Sequence, residues 1–153
     1  MNLKDPICAI ATPPGKGAIG VVRLSGEGAL EIAARVWRGK DPRRLKGGRF
    51  ALGEVVDPKT GEAIDQAILL VFRAPRSYTG EDLVEFQTHG SPAVLRRVME
   101  VLVAKTMNPA APEKIIPTED VVMIQNTTEA APTTILQMKV AAQMTILPMT
   151  EAV

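Results

Sequence analysis

The sequence predicts an α+β domain: a mixed β-sheet with helices packed on one face. Three observations lead there. Short apolar runs bounded by Pro, Gly and turn residues recur at 7–11, 21–24, 50–56, 67–72 and 83–89. Only two well-patterned stretches, 25–38 and 91–104, carry apolar residues at helical spacing. Their order is β, β, α, β, β, β, α, which is not a repeating βαβ pattern. A chain of 153 residues has room for one ordinary domain with a real core.

The first run, Ile7 to Ala11, reads as a buried strand, and its Cys8 as a small core residue. One cysteine rules out an internal disulfide, and without nearby histidines it is not a metal site. Gly15-Lys16-Gly17-Ala18-Ile19-Gly20 then matches G-x-G-x-x-G. A dinucleotide fingerprint must open a helix. Here Val21-Val22-Arg23-Leu24 follows, which is strand-like. A tight strand-to-strand connection therefore competes with nucleotide binding and fits better. Ser25-Gly26 is expected to cap a helix running to about Arg38, with Leu30, Ala33, Ala34 and Trp37 as its apolar stripe.

Residues 39–49 form a basic, glycine-bearing loop whose cluster is Arg38, Lys40, Arg43, Arg44, Lys46 and Arg49. No aromatic residue interleaves them for base stacking, so a solvated loop is the default over a nucleic-acid contact. A strand over 50–56 leads into a turn, Asp57-Pro58-Lys59-Thr60-Gly61-Glu62. The continuous apolar run 67–72 predicts a strand covered on both faces. Ser77-Tyr78-Thr79-Gly80-Glu81-Asp82 is a polar turn in which Thr79 and Asp82 could satisfy each other's amides. The strand after it places Val84, Phe86 and Thr88 on one face and Leu83, Glu85, Gln87 and His89 on the other. Ser91 and Pro92 open a helix to about Ala104, with Val94, Leu95, Val98, Val101 and Leu102 inward.

Residues 106–153 contain no Gly and no aromatic residue, and hold five of the seven methionines and five of the twelve prolines. Residues 133–147 could be a helix or a strand. Residues 105–153 stay unassigned. The formal charge of +1 gives no electrostatic case for nucleic acid or a membrane surface. No apolar run reaches the length of a membrane span and no signal peptide is visible, so the simplest expectation is a cytoplasmic protein.

Two charges interrupt apolar strands: Arg23 and Glu85. A charge on a strand inside a packed domain is costly unless paired. Either the two pair with each other or sit at a solvated edge, or they line a cleft for a polar, planar ligand. A carboxylate can accept two hydrogen bonds from an amino-pyrimidine edge, and Arg can pair with a carboxylate or carbonyl. His89 and Gln87, on the same face, take supporting or structural roles.

Residues 9–20, 22–26, 77–82 and 85–90 carry a further signal in their order, spacing and residue choice. Over about 4–104 the chain resembles the N-terminal domain of the MnmE/TrmE family, bacterial GTPases that modify the wobble uridine of tRNA. The resemblance implies a fold like the tetrahydrofolate-binding domain of aminomethyltransferases, assembled as a homodimer. It implies that Arg23 and Glu85 bind a cofactor, 5-formyl-tetrahydrofolate or 5,10-methylene-tetrahydrofolate; from the residues themselves no Ser–His–Asp set and no second-histidine metal spacing can be made, so no catalytic or metal-binding residue is expected. It implies MnmG, a flavoprotein, and tRNA as partners of the longer protein, with GTP, potassium and magnesium confined to a GTPase domain. After Lys105 the family's next strand and its Asn-Gly-Arg/Lys folate contact are not found, nor are GTPase motifs. Whether this chain is an enzyme by itself is left open. A dimerisation module with an incomplete folate pocket is the alternative.

Overall fold

The computed structural model describes residues 6–106, 113–117 and 122–126. Six strands form one sheet: β1 (Ile7–Ile10), β2 (Ile19–Ser25), β3 (Trp37–Gly39), β4 (Arg49–Val56), β5 (Ala63–Phe72) and β6 (Leu83–His89). Two helices, α1 (Ala29–Arg35) and α2 (Pro92–Thr106), complete the α+β domain. The strand order is β1-β2-β6-β5-β4-β3. The expected mixed sheet is refined to one in which all five pairings are antiparallel. β7 (Glu113–Pro117) and β8 (Val122–Asn126) pair antiparallel in a separate sheet. The reading of 133–147 lies outside the described residues.

Alternation decides which face is covered. Val22 and Leu24 of β2, Val84 and Phe86 of β6, and Leu69 and Val71 of β5 are fully buried. They pack into one cluster with Leu30 and Ala33 of α1 and with Leu95, Val98 and Leu102 of α2. Each such side chain contributes about 1.5–3 kcal/mol on leaving water. Cys8 belongs to this core, its thiol 3.4 Å from the Met99 sulfur, and burial pushes its pKa up. The β4–β5 turn forms as its residues dictate. Asp57 Oδ1 accepts from Lys59 N at 2.8 Å, and Gly61, at positive φ, donates its amide to Asp57 O at 2.7 Å.

Four local expectations are corrected. α1 ends at Arg35, and Trp37 lies in β3 opposite Val55 rather than on a helical stripe. It remains a core residue, its indole tilted against Phe86 with centroids 6.3 Å apart and its Nε1–H donated to Lys40 O. Ser25 ends β2 instead of capping α1, whose N-cap is the left-handed Gly28. Thr79 and Asp82 do not satisfy each other: Asp82 Oδ1 accepts from Ala74 N, while Thr79 Oγ1 lies 2.7 Å from Ser25 Oγ. β5 is covered on one face only. Ala67, Leu69 and Val71 are buried under the helices, whereas Ile68, Leu70 and Phe72 are half-buried on the open side. An apolar run marks a wholly covered strand only when a second layer exists, and none lies on that side among the described residues.

Candidate functional site

The open face of the sheet is organised in cross-strand rows. Register places Phe50, Leu70, Glu85 and Arg23 in one row, and Leu52, Ile68, Gln87 and Val21 in the next. Beyond these, Glu54 faces Gln66 and His89 faces Ile19. Same-face neighbours along a strand are about 7 Å apart, which sets the row spacing.

Arg23 and Glu85 are direct partners across β2 and β6, and they pair with each other. Arg23 Nε donates to Glu85 Oε1 at 2.6 Å, with side chains 15% and 9% exposed. Tyr78 lies over the guanidinium, 4.7 Å from ring centroid to Arg23 Cζ, and rests against Phe72. The bond uses one donor and one acceptor. Among the described residues, Glu85 Oε2 and the terminal Arg23 nitrogens have no hydrogen-bond partner. A buried carboxylate oxygen without a partner calls for a donor. The pair thus presents an acceptor beside a donor fork, the complement of an amino-pyrimidine ring with its adjacent carbonyl.

The next rows border an open depression of about 600 Å³, walled by Ile19, Leu52 and Ile68 and edged by Gln66, Gln87 and His89. His89 is held by Asp65, which accepts from the His89 backbone N–H at 2.8 Å and sits 2.9 Å from Nδ1. The glycine loop braces the end of the same strand: Gly17 N–H donates to Gly90 O, and Gly90 N–H to Ala18 O. A Cβ on Gly90 would lie 2.3 Å from Gly17 O, so the two backbones meet without side chains between them. This loop enters β2 and opens no helix, consistent with a connection rather than a phosphate cradle.

Residues 6–113 match the family described as GTP-binding protein TrmE N-terminus. The chain belongs to this family. Relatives named tRNA modification GTPase MnmE include one from Thermus thermophilus, 96% identical over 110 residues, covering 72% of this chain and 26% of that protein. One from Koribacter versatilis is 46% identical over 113 residues, covering 73% and 25%. One from Lacticaseibacillus paracasei is 43% identical over 108 residues, covering 71% and 23%. The chain therefore spans about a quarter of the length of these relatives.

In this TrmE N-terminal fold the two charges singled out from the sequence are brought together, while Gln87 and His89 lie in neighbouring rows of the same face. The sequence reading missed Tyr78 and Asp65. A tyrosine in an Arg-Ser-Tyr turn gave no register with Arg23, 55 positions away. Asp65 looked like the flank of a turn because the apolar run begins at Ala67. Within the basic loop Asp41 pairs with Arg43, and beside it Glu54 pairs with Arg38 and Asp82 with Arg73. The hydrogen bond from Arg43 holds the Asp41 carboxyl below its usual range. No helix among the described residues is long and apolar enough to cross a membrane.

Proposed function

We propose that this chain is the N-terminal, tetrahydrofolate-binding and homodimerising domain of a GTPase that modifies the wobble uridine of tRNA. In this reading Arg23 and Glu85 bind the pyrimidine end of 5-formyl- or 5,10-methylene-tetrahydrofolate. The folate supplies the one-carbon unit attached to uridine C5, and the MnmG flavoprotein and tRNA are partners of the longer protein. GTP, potassium and magnesium act in a GTPase domain outside this chain, and the protein works in the cytoplasm. Residues 1–104 form the functional unit, and 105–153 have no assigned role.

The supporting observation is the half-used ion pair: a buried Glu85 with one oxygen unpartnered among the described residues, beside a guanidinium whose terminal nitrogens are likewise unpartnered among them. Titration calorimetry with 5-formyl-tetrahydrofolate tests the reading. Binding with a dissociation constant in the micromolar range, about −8 kcal/mol, is expected. Absence of binding heat from folded protein well above that concentration refutes it.

A second reading, a dimerisation module with an incomplete, non-functional folate pocket, is favoured by the mutual pairing of Arg23 and Glu85 under Tyr78. Phe50 and Leu52, 64% and 71% exposed on the open face, are apolar surface that a second copy would cover. Sedimentation separates the cases. A dimer indifferent to folate supports the module, and a monomer at every concentration removes it.

A further inference from the structure

The loop between β3 and β4 has no role in the folate reading. Residues 38–49 hold six cations against one carboxylate, in a chain whose formal charge is only +1. The loop backbone is pinned at several points. Pro42 and Leu45 are buried, Asp41 caps the short turn Pro42–Arg44, and Arg73 Nη2 donates to Arg43 O at 2.8 Å and to Leu45 O at 3.3 Å. Arg49 N–H closes a turn on Lys46 O, and Gly48 N–H is donated to Val71 O. Gly39 lies opposite Gly53, and Arg49 begins that strand four residues earlier, so the loop spans about 13 Å along β4.

The carboxylates beside the loop are already engaged, Asp41 by Arg43, Glu54 by Arg38 and Asp82 by Arg73, and Glu31 acts on Arg43 only at a distance. Lys40, Arg44, Lys46 and Arg49 are exposed, and their side chains have no partner among the described residues. Because the backbone beneath them is fixed, little of its entropy remains to be lost when a polyanion binds. We infer that this loop is a docking surface for the phosphate backbone of a base-paired RNA, an inference that rests on the tRNA part of the reading above. Four cations along about 13 Å match on the order of four duplex phosphates. The loop carries no aromatic side chain on which unpaired bases would stack, which favours helical over single-stranded RNA. Such contacts fix position and orientation and read no sequence.

Fluorescence anisotropy of the 153-residue chain with an end-labelled, unmodified tRNA transcript tests this between about 50 and 200 mM KCl. Affinity is expected to fall about 100-fold over that range, a salt slope of about −3 to −4 for four contacts. The variant Arg44→Gln/Lys46→Gln/Arg49→Gln should flatten the slope to about −1 and weaken binding at least ~10-fold at the lower salt. The control Lys16→Gln/Lys59→Gln/Arg96→Gln removes the same charge from exposed cations elsewhere that also lack side-chain partners among the described residues. It should stay within about twofold of wild type. All six positions are exposed, and thermal unfolding verifies that both variants fold. An oligouridine of the same length should bind more weakly than the transcript. Equal losses in the two variants, an oligouridine bound as tightly as the transcript, or no binding at the lower salt would overturn the inference. Loop-dependent binding to phosphatidylserine vesicles, with none to the transcript, would give the surface to a membrane instead. Calorimetry with 5-formyl-tetrahydrofolate on the same samples reads the folate site separately, so either assignment can fail while the other stands.

Discussion

Replacing Glu85 with Gln removes one charge from the centre of the sheet and keeps the side chain's volume. Arg23 would then sit 15% exposed opposite a neutral amide. Breaking a buried pair by removing one partner costs about 3–5 kcal/mol when the remaining charge is fully desolvated. Two features lower that figure here. The guanidinium keeps some exposure and lies against the Tyr78 ring, an attraction of about 0.5–2 kcal/mol that survives the change. Gln also retains an oxygen that can accept from Nε. A loss of about 2 kcal/mol is expected, equivalent to a fall in Tm of roughly 8–16 °C for a domain near 100 residues. Urea unfolding followed by the single Trp37 measures it directly. Combining Arg23→Met with Glu85→Leu should return most of the loss, because apolar replacements need no desolvation. A Glu85→Gln variant within about 0.5 kcal/mol of wild type, the scale of a solvent-screened pair, would show the pair is effectively in water. A double variant as unstable as the sum of its single changes would refute the pairing argument altogether.

Three other outcomes follow from the packing. Gly90→Ala should cost about 1–3 kcal/mol by forcing a Cβ into the Gly17 carbonyl, read from the urea midpoint. Phe86→Ala, which empties the largest fully buried side chain from the core, should cost about 3–5 kcal/mol and leave only a marginally folded chain by near-UV dichroism. Cys8 keeps its proton in the fold above its ordinary value of 9.0, whereas the unfolded thiol ionises there. The unfolded state thus binds fewer protons as pH rises above 9, and stability should fall by up to about 1.4 kcal/mol per pH unit. Cys8→Ala should flatten that slope, and an unchanged slope in the variant would assign it to other groups.

What could be read from the sequence was local. Strand positions, the turn at 57–62 and the inward residues of α2 follow from period and turn chemistry within a dozen residues. Arg23 and Glu85 stood out because a charge in an apolar run needs an explanation wherever it folds. Their pairing was one of the alternatives the sequence offered, and it could not be selected there, since register between strands 62 positions apart is set by the whole sheet. Trp37 shows the same limit. Its spacing from Leu30 and Ala33 fits a helix, and only the pairing with Val55 pulls it into β3. Tyr78 and Asp65 act through neighbours brought in from β2 and β6, so no window around them carried the signal.

The close approach at Gly90 differs in kind from the one at Gly20. A Cβ on Gly20 would meet only the Leu95 side chain, at 2.7 Å, and a smaller residue at 95 could make room. A Cβ on Gly90 would meet the carbonyl, carbon and Cα of Gly17, atoms that every amino acid possesses. A defect at Gly20 should therefore yield second-site suppressors at Leu95. A defect at Gly90 should yield none at Gly17, and a selection for revertants should return glycine itself.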